Sequence, residues 1–389
     1  MELRHHRLWH TIWEHATHWT VAGALLAATG AAPEHWVADL IHHVPLLYES
    51  LPSWAASVDY RFIAVIAGLT IIVGDTVWRN HRRREPVVVA ASPAGNGGEA
   101  GMTPLIIEPN NPPMPPIRYC SASDGVHLAY MVHGEGPSLV MAGHWLSHLQ
   151  LDWENPIRRG YFDRLGQGRT LLRYDARGTG LSDRRPETIS PSTWLSDLET
   201  VVDAAGLDRF ALFGLSQTAS VAIRYAALHP DRVTKLIIYG GYARGWKHRS
   251  DVDLEEQRAV IKLTQLGWDR DNPAFRQMFT TEFMPDATKE AFDSFTELGR
   301  RYTSGEAVAR YLEAIGDVNV VSELPKISTP TLVLHVREER RQPFELGREI
   351  AAGIPGARLI ALPGRNHVLQ SHEPAEEQLL DEIDRFLRS

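Results

Sequence analysis

Apolar positions in the C-terminal part of the chain fall into short runs broken by polar, turn-forming residues, with helix-period stretches between them. Strands are predicted at 117–120, 126–133, 138–142, 171–174, 210–213, 235–239, 331–336 and 358–362. Asp124-Gly125 between the first two runs is a hairpin signal. Helical periodicity fits 193–205, where Leu195, Leu198, Val201 and Val202 share one face after the Ser190-Pro191-Ser192 start. It also fits 219–228, several segments within 254–323, and 375–387. An opening hairpin followed by alternating strands and helices predicts an α/β fold, a mostly parallel eight-stranded sheet with helices on both faces.

The first 84 residues have a different texture and carry six of the 11 tryptophans. Residues 15–32 hold no formal charge apart from histidine, and 62–74 are apolar except for Thr70. Arg4 and Arg7 precede the first segment, and Arg79, Arg82, Arg83 and Arg84 follow the second. Between them, residues 33–60 carry Glu34, Asp39, Glu49 and Asp59 but no Lys or Arg. This asymmetry predicts a two-helix membrane hairpin within 1–84, touching the bilayer through residues 12–78, with the rest of the chain facing the cytoplasm. The alternative is a helical hairpin packed on the C-terminal domain. Histidines crowd the region, His6 and His10 one helical turn apart, but no Cys or carboxylate completes a ligand set, so polar packing at an interface is the expectation. Residues 85–116, rich in Gly and then in Pro, form a linker.

Charge and cysteine content narrow the function. Acidic residues outnumber basic ones 48 to 40, a formal charge of −8, which argues against nucleic acid as a partner. Cys120 stands alone, so no internal disulfide forms and a reducing compartment fits.

The sharpest chemical signal is Gly214-Leu215-Ser216-Gln217-Thr218, between an apolar strand and a helix. A tight strand–turn–helix lifts a serine hydroxyl clear of the sheet and aims the next N–H at the same point. An acidic pair, Glu338-Glu339, follows the strand at 331–336, and Gly364-Arg365-Asn366-His367 follows the strand at 358–362. Serine, acid and histidine thus occur in that order, each just after a predicted strand. His144, His148, His335 and His372 are competing bases in less suitable contexts.

With the segment Asp175-Ala176-Arg177-Gly178-Thr179-Gly180-Leu181-Ser182-Asp183, these features make residues 117–389 resemble the α/β-hydrolase superfamily. Tyr239-Gly240-Gly241-Tyr242-Ala243-Arg244-Gly245 and Leu266-Gly267-Trp268 are similar to hydrolase domains that bacteria fuse to transcription regulators and nucleotidyl cyclases. The resemblance implies Ser216 as nucleophile, His367 as base and Glu339 as orienting acid, with Glu338 next to it as the alternative. It implies the N–H groups of Gln217 and Trp145 as the oxyanion hole, and no metal or organic cofactor. Residues 242–325 would be a helical cap whose Trp268, Phe275, Met278, Phe279, Phe283, Met284, Phe292 and Phe295 give an apolar inner face. Asp175, Arg177 and Asp183 would be structural. The expected function is hydrolysis of an ester, thioester or lactone of a small, partly apolar acyl substrate through an acyl-enzyme. Departures at Thr218, Glu339 and Gly143-His144 leave a weakly catalytic sensing module as the alternative.

Overall fold

The structure is a computed structural model that describes residues 113–250 and 254–389. The expected membrane hairpin of residues 1–84, its histidines and the linker up to residue 112 lie outside the described residues. Among the described residues no helix is long and apolar enough to cross a membrane.

Eight strands form one sheet: β1 (Arg118–Ser121), β2 (His127–His133), β3 (Ser138–Met141), β4 (Thr170–Tyr174), β5 (Phe210–Leu215), β6 (Val233–Tyr239), β7 (Thr331–Val336) and β8 (Arg358–Leu362). Their order is β1-β2-β4-β3-β5-β6-β7-β8, antiparallel at the β1/β2 and β2/β4 edges and parallel elsewhere. Covered on both faces, a central parallel strand has no solvent side, which is why β5 reads as an apolar run and β7 is buried at every position, Thr331 and His335 included. One face packs on α3 (Pro191–Ala204) and α4 (Thr218–Leu228) through Leu198, Val202, Ala222 and Ile223. The other packs on α2 (Pro156–Gly166) and α10 (Pro374–Arg388) through Phe162, Leu165, Leu379 and Ile383.

Four α-helices lie between β6 and β7, in the segment where a cap was expected. They are α5 (Leu254–Gly267), α6 (Ala274–Phe283), α7 (Lys289–Tyr302) and α8 (Gly305–Gly316). Thr288 and Ser304 cap the last two by accepting from the N–H groups of Ala291 and Ala307.

Two helical stretches were not expected from sequence. The first is α1 (Leu149–Glu154) with α2, and the second is α9 (Phe344–Gly353). The Arg-Arg-Gly and paired glycines in them weaken local helix preference. Packing supplies the rest: Phe162 and Leu165 bury on the sheet, and so does Ile350. Gly347 is required there, since a Cβ would come 2.5 Å from His335 Nδ1.

The loop after β4 is structural, as expected. Asp175 is fully buried and accepts from Leu149 N, Leu181 N and Ser147 Oγ. Arg177 binds Asp197 through Nε at 2.8 Å and Nη2 at 2.5 Å, and Asp124 through Nη1 at 2.7 Å. Asp183 accepts from His127 N at 2.7 Å. Side chains of Arg177 and Asp197 are 1% and 2% exposed, so removing one partner strands a buried charge. Arg177→Met is therefore expected to cost about 3–5 kcal/mol in urea denaturation. Arg300→Met, whose partners Glu297 and Asp271 are exposed, moves the midpoint little. Equal effects would contradict the anchoring role.

Candidate active site

Ser216 occupies the turn between β5 and α4 with φ +53°, the one non-glycine residue in the left-handed region among the described residues. A side chain there costs of order 1–3 kcal/mol, so the surroundings must impose it. They do so by close packing. A Cβ at Gly214 would lie 2.8 Å from Ala219 Cα and from Ala222 Cβ, so only glycine lets α4 sit this near the strand. Thr218, at the position where a second glycine is usual, adds a brace. Its Oγ1 accepts from Leu215 N at 2.8 Å and donates to Leu215 O at 2.9 Å. Ser216 N donates to Tyr239 O at 2.9 Å, tying the turn to the end of β6.

The other expected residues converge on the same sheet edge. His367 Nδ1 lies 2.5 Å from Glu339 Oε1. Both are buried, at 3% and 5% exposure. Glu339 Oε1 also accepts from Gln342 N at 2.9 Å, which fixes the carboxylate. A carboxylate only accepts, so Nδ1 carries the proton and Nε2 is left as the base. Glu338, the sequence alternative, is exposed. His367 is held in turn by Tyr239, whose hydroxyl donates to the His367 carbonyl at 2.8 Å, and by Phe283, edge-on to the imidazole at 5.4 Å. At Gly240, with φ +57°, a Cβ would stand 2.9 Å from His367 Cε1. Tyr239 therefore links the serine turn to the imidazole. Among the described residues no hydrogen bond joins Ser216 Oγ to His367, a common situation before substrate binds.

No hydrogen bond among the described residues uses the backbone N–H of Gln217 or Trp145. Trp145 is buried, stacked on Tyr311 and edge-on to Phe279. Gly143 is explained by Tyr174, whose ring carbon would lie 2.3 Å from a Cβ. The competing histidines are separated by environment. His335 points its Nε2 at Gln342 O, 2.6 Å away, and burial lowers its pKa. His144 is pushed down to about 3 by burial and by the nearby His367, and its Nδ1 accepts from Leu146 N. His372 is exposed, and burial lowers the pKa of His148.

A cavity of about 130 Å³ opens beside His367. One water needs about 10–15 Å³ by the same measure, so the space is ligand-sized. Leu215, Phe283, Met284 and Phe295 line it, and Ser216 itself is 5% exposed just beside this lining. Of the expected cap face, Trp268 and Phe279 pack instead on Trp145, and Met278 is exposed at 43%. The cavity also has a charged wall, Asp152, Arg158, Arg173 and Glu376, that sequence analysis missed. One signal was available: Arg173 interrupts the apolar run of a buried strand.

Thr218→Val removes the brace and leaves the N–H and carbonyl of Leu215 without this partner. The expected cost is about 1–3 kcal/mol by thermal or urea unfolding, with Thr218→Ser close to wild type. Equal stability of all three would contradict the brace. Gly240→Ala puts a side chain at φ +57° and its methyl displaces the imidazole, so reaction of Ser216 with a fluorophosphonate probe is expected to fall further than the lost stability accounts for. Loss in proportion to unfolding would contradict that.

Comparison with known proteins bears on the fold and the family. Residues 129–378 match the family model described as the alpha/beta hydrolase family. The AB hydrolase superfamily protein YisY of Bacillus subtilis is 25% identical over 265 residues, spanning 64% of this chain and 91% of that protein. A 2-hydroxy-6-oxononadienedioate/2-hydroxy-6-oxononatrienedioate hydrolase of Pseudomonas putida is 25% identical over 273 residues, spanning 68% of this chain and 90% of that one. Among solved structures, an esterase from Exiguobacterium antarcticum superposes with a TM-score of 0.59 at 24% identity, covering 70% of this chain and 99% of that one. Fold, strand order, elbow and family match together make this chain a member of the alpha/beta hydrolase family.

Proposed function

We propose that this protein is a serine hydrolase that cleaves an ester, thioester or lactone bond of a small, partly apolar substrate through an acyl-enzyme. The observation that carries the reading is the buried Glu339–His367 contact beside a serine forced into a left-handed turn. A serine hydroxyl is a weak nucleophile until a base takes its proton. In this reading His367 Nε2 takes it as Ser216 Oγ bonds to the carbonyl carbon. Glu339 keeps the imidazole in the right tautomer and stabilises its positive charge. The negative charge forming on the carbonyl oxygen is met by the N–H groups of Gln217 and Trp145, both without a competing hydrogen bond among the described residues. The tetrahedral species collapses, His367 gives its proton to the leaving oxygen or sulfur, and water repeats the sequence to free the acid. Apolar walls around His367 suit an acyl chain. We further propose that residues 1–84 tether this unit to the cytoplasmic face of a membrane, on the charge asymmetry of their sequence.

A fluorophosphonate probe is expected to label the wild type, but not Ser216→Ala. With para-nitrophenyl esters, Ser216→Ala and His367→Ala should each lower kcat by about 10⁴-fold or more, and Glu339→Ala by less. A folded protein that neither reacts with the probe nor turns over any ester would contradict the proposal. Cell fractionation should find the full chain with membranes and a chain lacking residues 1–84 in the soluble fraction; equal partition would contradict the tether.

A further inference from the structure

The charged wall of the cavity does not balance. Two guanidinium groups share one carboxylate: Arg158 Nε lies 3.3 Å from Asp152 Oδ1, and Arg173 Nη2 pairs with Asp152 Oδ2. Tyr302 adds a third donor to Asp152, at 2.6 Å. Burial works against the Asp152 charge, but the two arginines outweigh it and hold the carboxyl below its ordinary pKa. Asp152 is therefore ionised and fully occupied.

Donors are left over on both arginines. Arg173 is 4% exposed, and its buried Nη1 has no hydrogen-bond partner among the described residues. Arg158 binds Asp152 through Nε, so the outer fork of its guanidinium makes no hydrogen bond among them. Its side chain is 28% exposed and is part of the cavity lining. Phe162 sets the planes of both groups, with guanidinium carbons 3.2 Å (Arg173) and 5.4 Å (Arg158) from its ring centre. Glu376, the remaining acid on this wall, makes no ion pair among the described residues. Burial and then Glu373 push its carboxyl up to about 7, so near neutrality it offsets the second arginine only in part. His144 on the same cavity is neutral. A buried, partly unpaired guanidinium in an otherwise apolar pocket is costly, and a planar carboxylate with two parallel acceptors compensates it best.

We propose that Arg158, supported by Arg173, receives a carboxylate at the end of the substrate's acyl chain, so that the substrate is a mono-ester, mono-thioester or lactone that carries a free acid group. The hydrolase reading supplies the placement of the scissile bond. The anion site stands on its own geometry.

Two measurements on the full-length protein test this separately. In turnover, kcat/KM for mono-para-nitrophenyl adipate and pimelate is compared with that for para-nitrophenyl pentanoate and hexanoate. The acid-ended esters should be preferred by about tenfold or more. Arg158→Met should abolish or invert that ratio, which does not depend on the fraction folded. Arg164→Met, an exposed arginine paired with Asp381, should keep the ratio. In binding, Ser216→Ala is titrated calorimetrically with monoethyl adipate and with diethyl adipate. The half-ester should bind about tenfold tighter or more, and the gap should close when Arg158→Met is added. Neutral esters turned over or bound as well as acid-ended ones would overturn the anion site and leave the hydrolase reading standing. No turnover and no probe labelling, with the half-ester still preferred in binding, would overturn the hydrolase reading and leave the anion site standing.

Discussion

A serine held at φ +53° between a buried strand and a helix is the constraint that organises this unit. Such a turn persists only if the chain around it has no cheaper arrangement. Gly214 lets α4 press against β5, Thr218 ties the turn back on Leu215, and the serine N–H is taken by the end of β6. The strain is thus met by close packing and by hydrogen bonds from within the chain. Because parallel strands end on the same edge, the loops after β5, β7 and β8 carry residues 216, 339 and 367 to that one edge of the sheet, with 339 and 367 in contact, although they are far apart in the chain.

Burial then decides the electrostatics of that edge. Glu339 is withdrawn from water, so its contact with His367 acts in a low-dielectric setting, where a charge-assisted bond is strong and an unpaired charge is expensive. The same logic recurs at Arg177 with Asp197, where it fixes the loop after β4. On the cavity wall it recurs unfinished, with two guanidiniums against one committed carboxylate. At Arg177 the chain closes the site itself, and at Glu339 it satisfies Oε1, leaving Oε2 buried without a hydrogen bond among the described residues. The third has donors to spare, which is what separates a binding surface from a structural ion pair.

Much of this was legible in the sequence. All eight strands were: the central ones are short, mostly apolar runs because helices cover both faces, and the edge hairpin is marked by the Asp124-Gly125 turn. Ser216 and His367 were, because each follows such a strand at a glycine-marked turn. The resemblance favoured Glu339 over Glu338, but the charged run itself has no local mark of depth, and it is the turn that buries one and exposes the other. Helices α2 and α9 were not legible, because tertiary contacts rather than propensity make them helical. The Asp152 cluster was not legible either: its members lie on α1, α2, β4 and α7, and the Tyr302–Asp152 contact spans 150 positions. Residue type alone says nothing about such a meeting.

The central claim is that Ser216 carries the acyl group between two half-reactions. Its most direct test is rapid quenching of the protein with para-nitrophenyl acetate, followed by peptide mass analysis. The account predicts the mass of one acetyl group on the peptide containing Ser216, absent in Ser216→Ala and accumulating more slowly in His367→Ala. Nitrophenol release without any acetyl-bearing peptide, or an acetyl group on another residue that persists in Ser216→Ala, would contradict it.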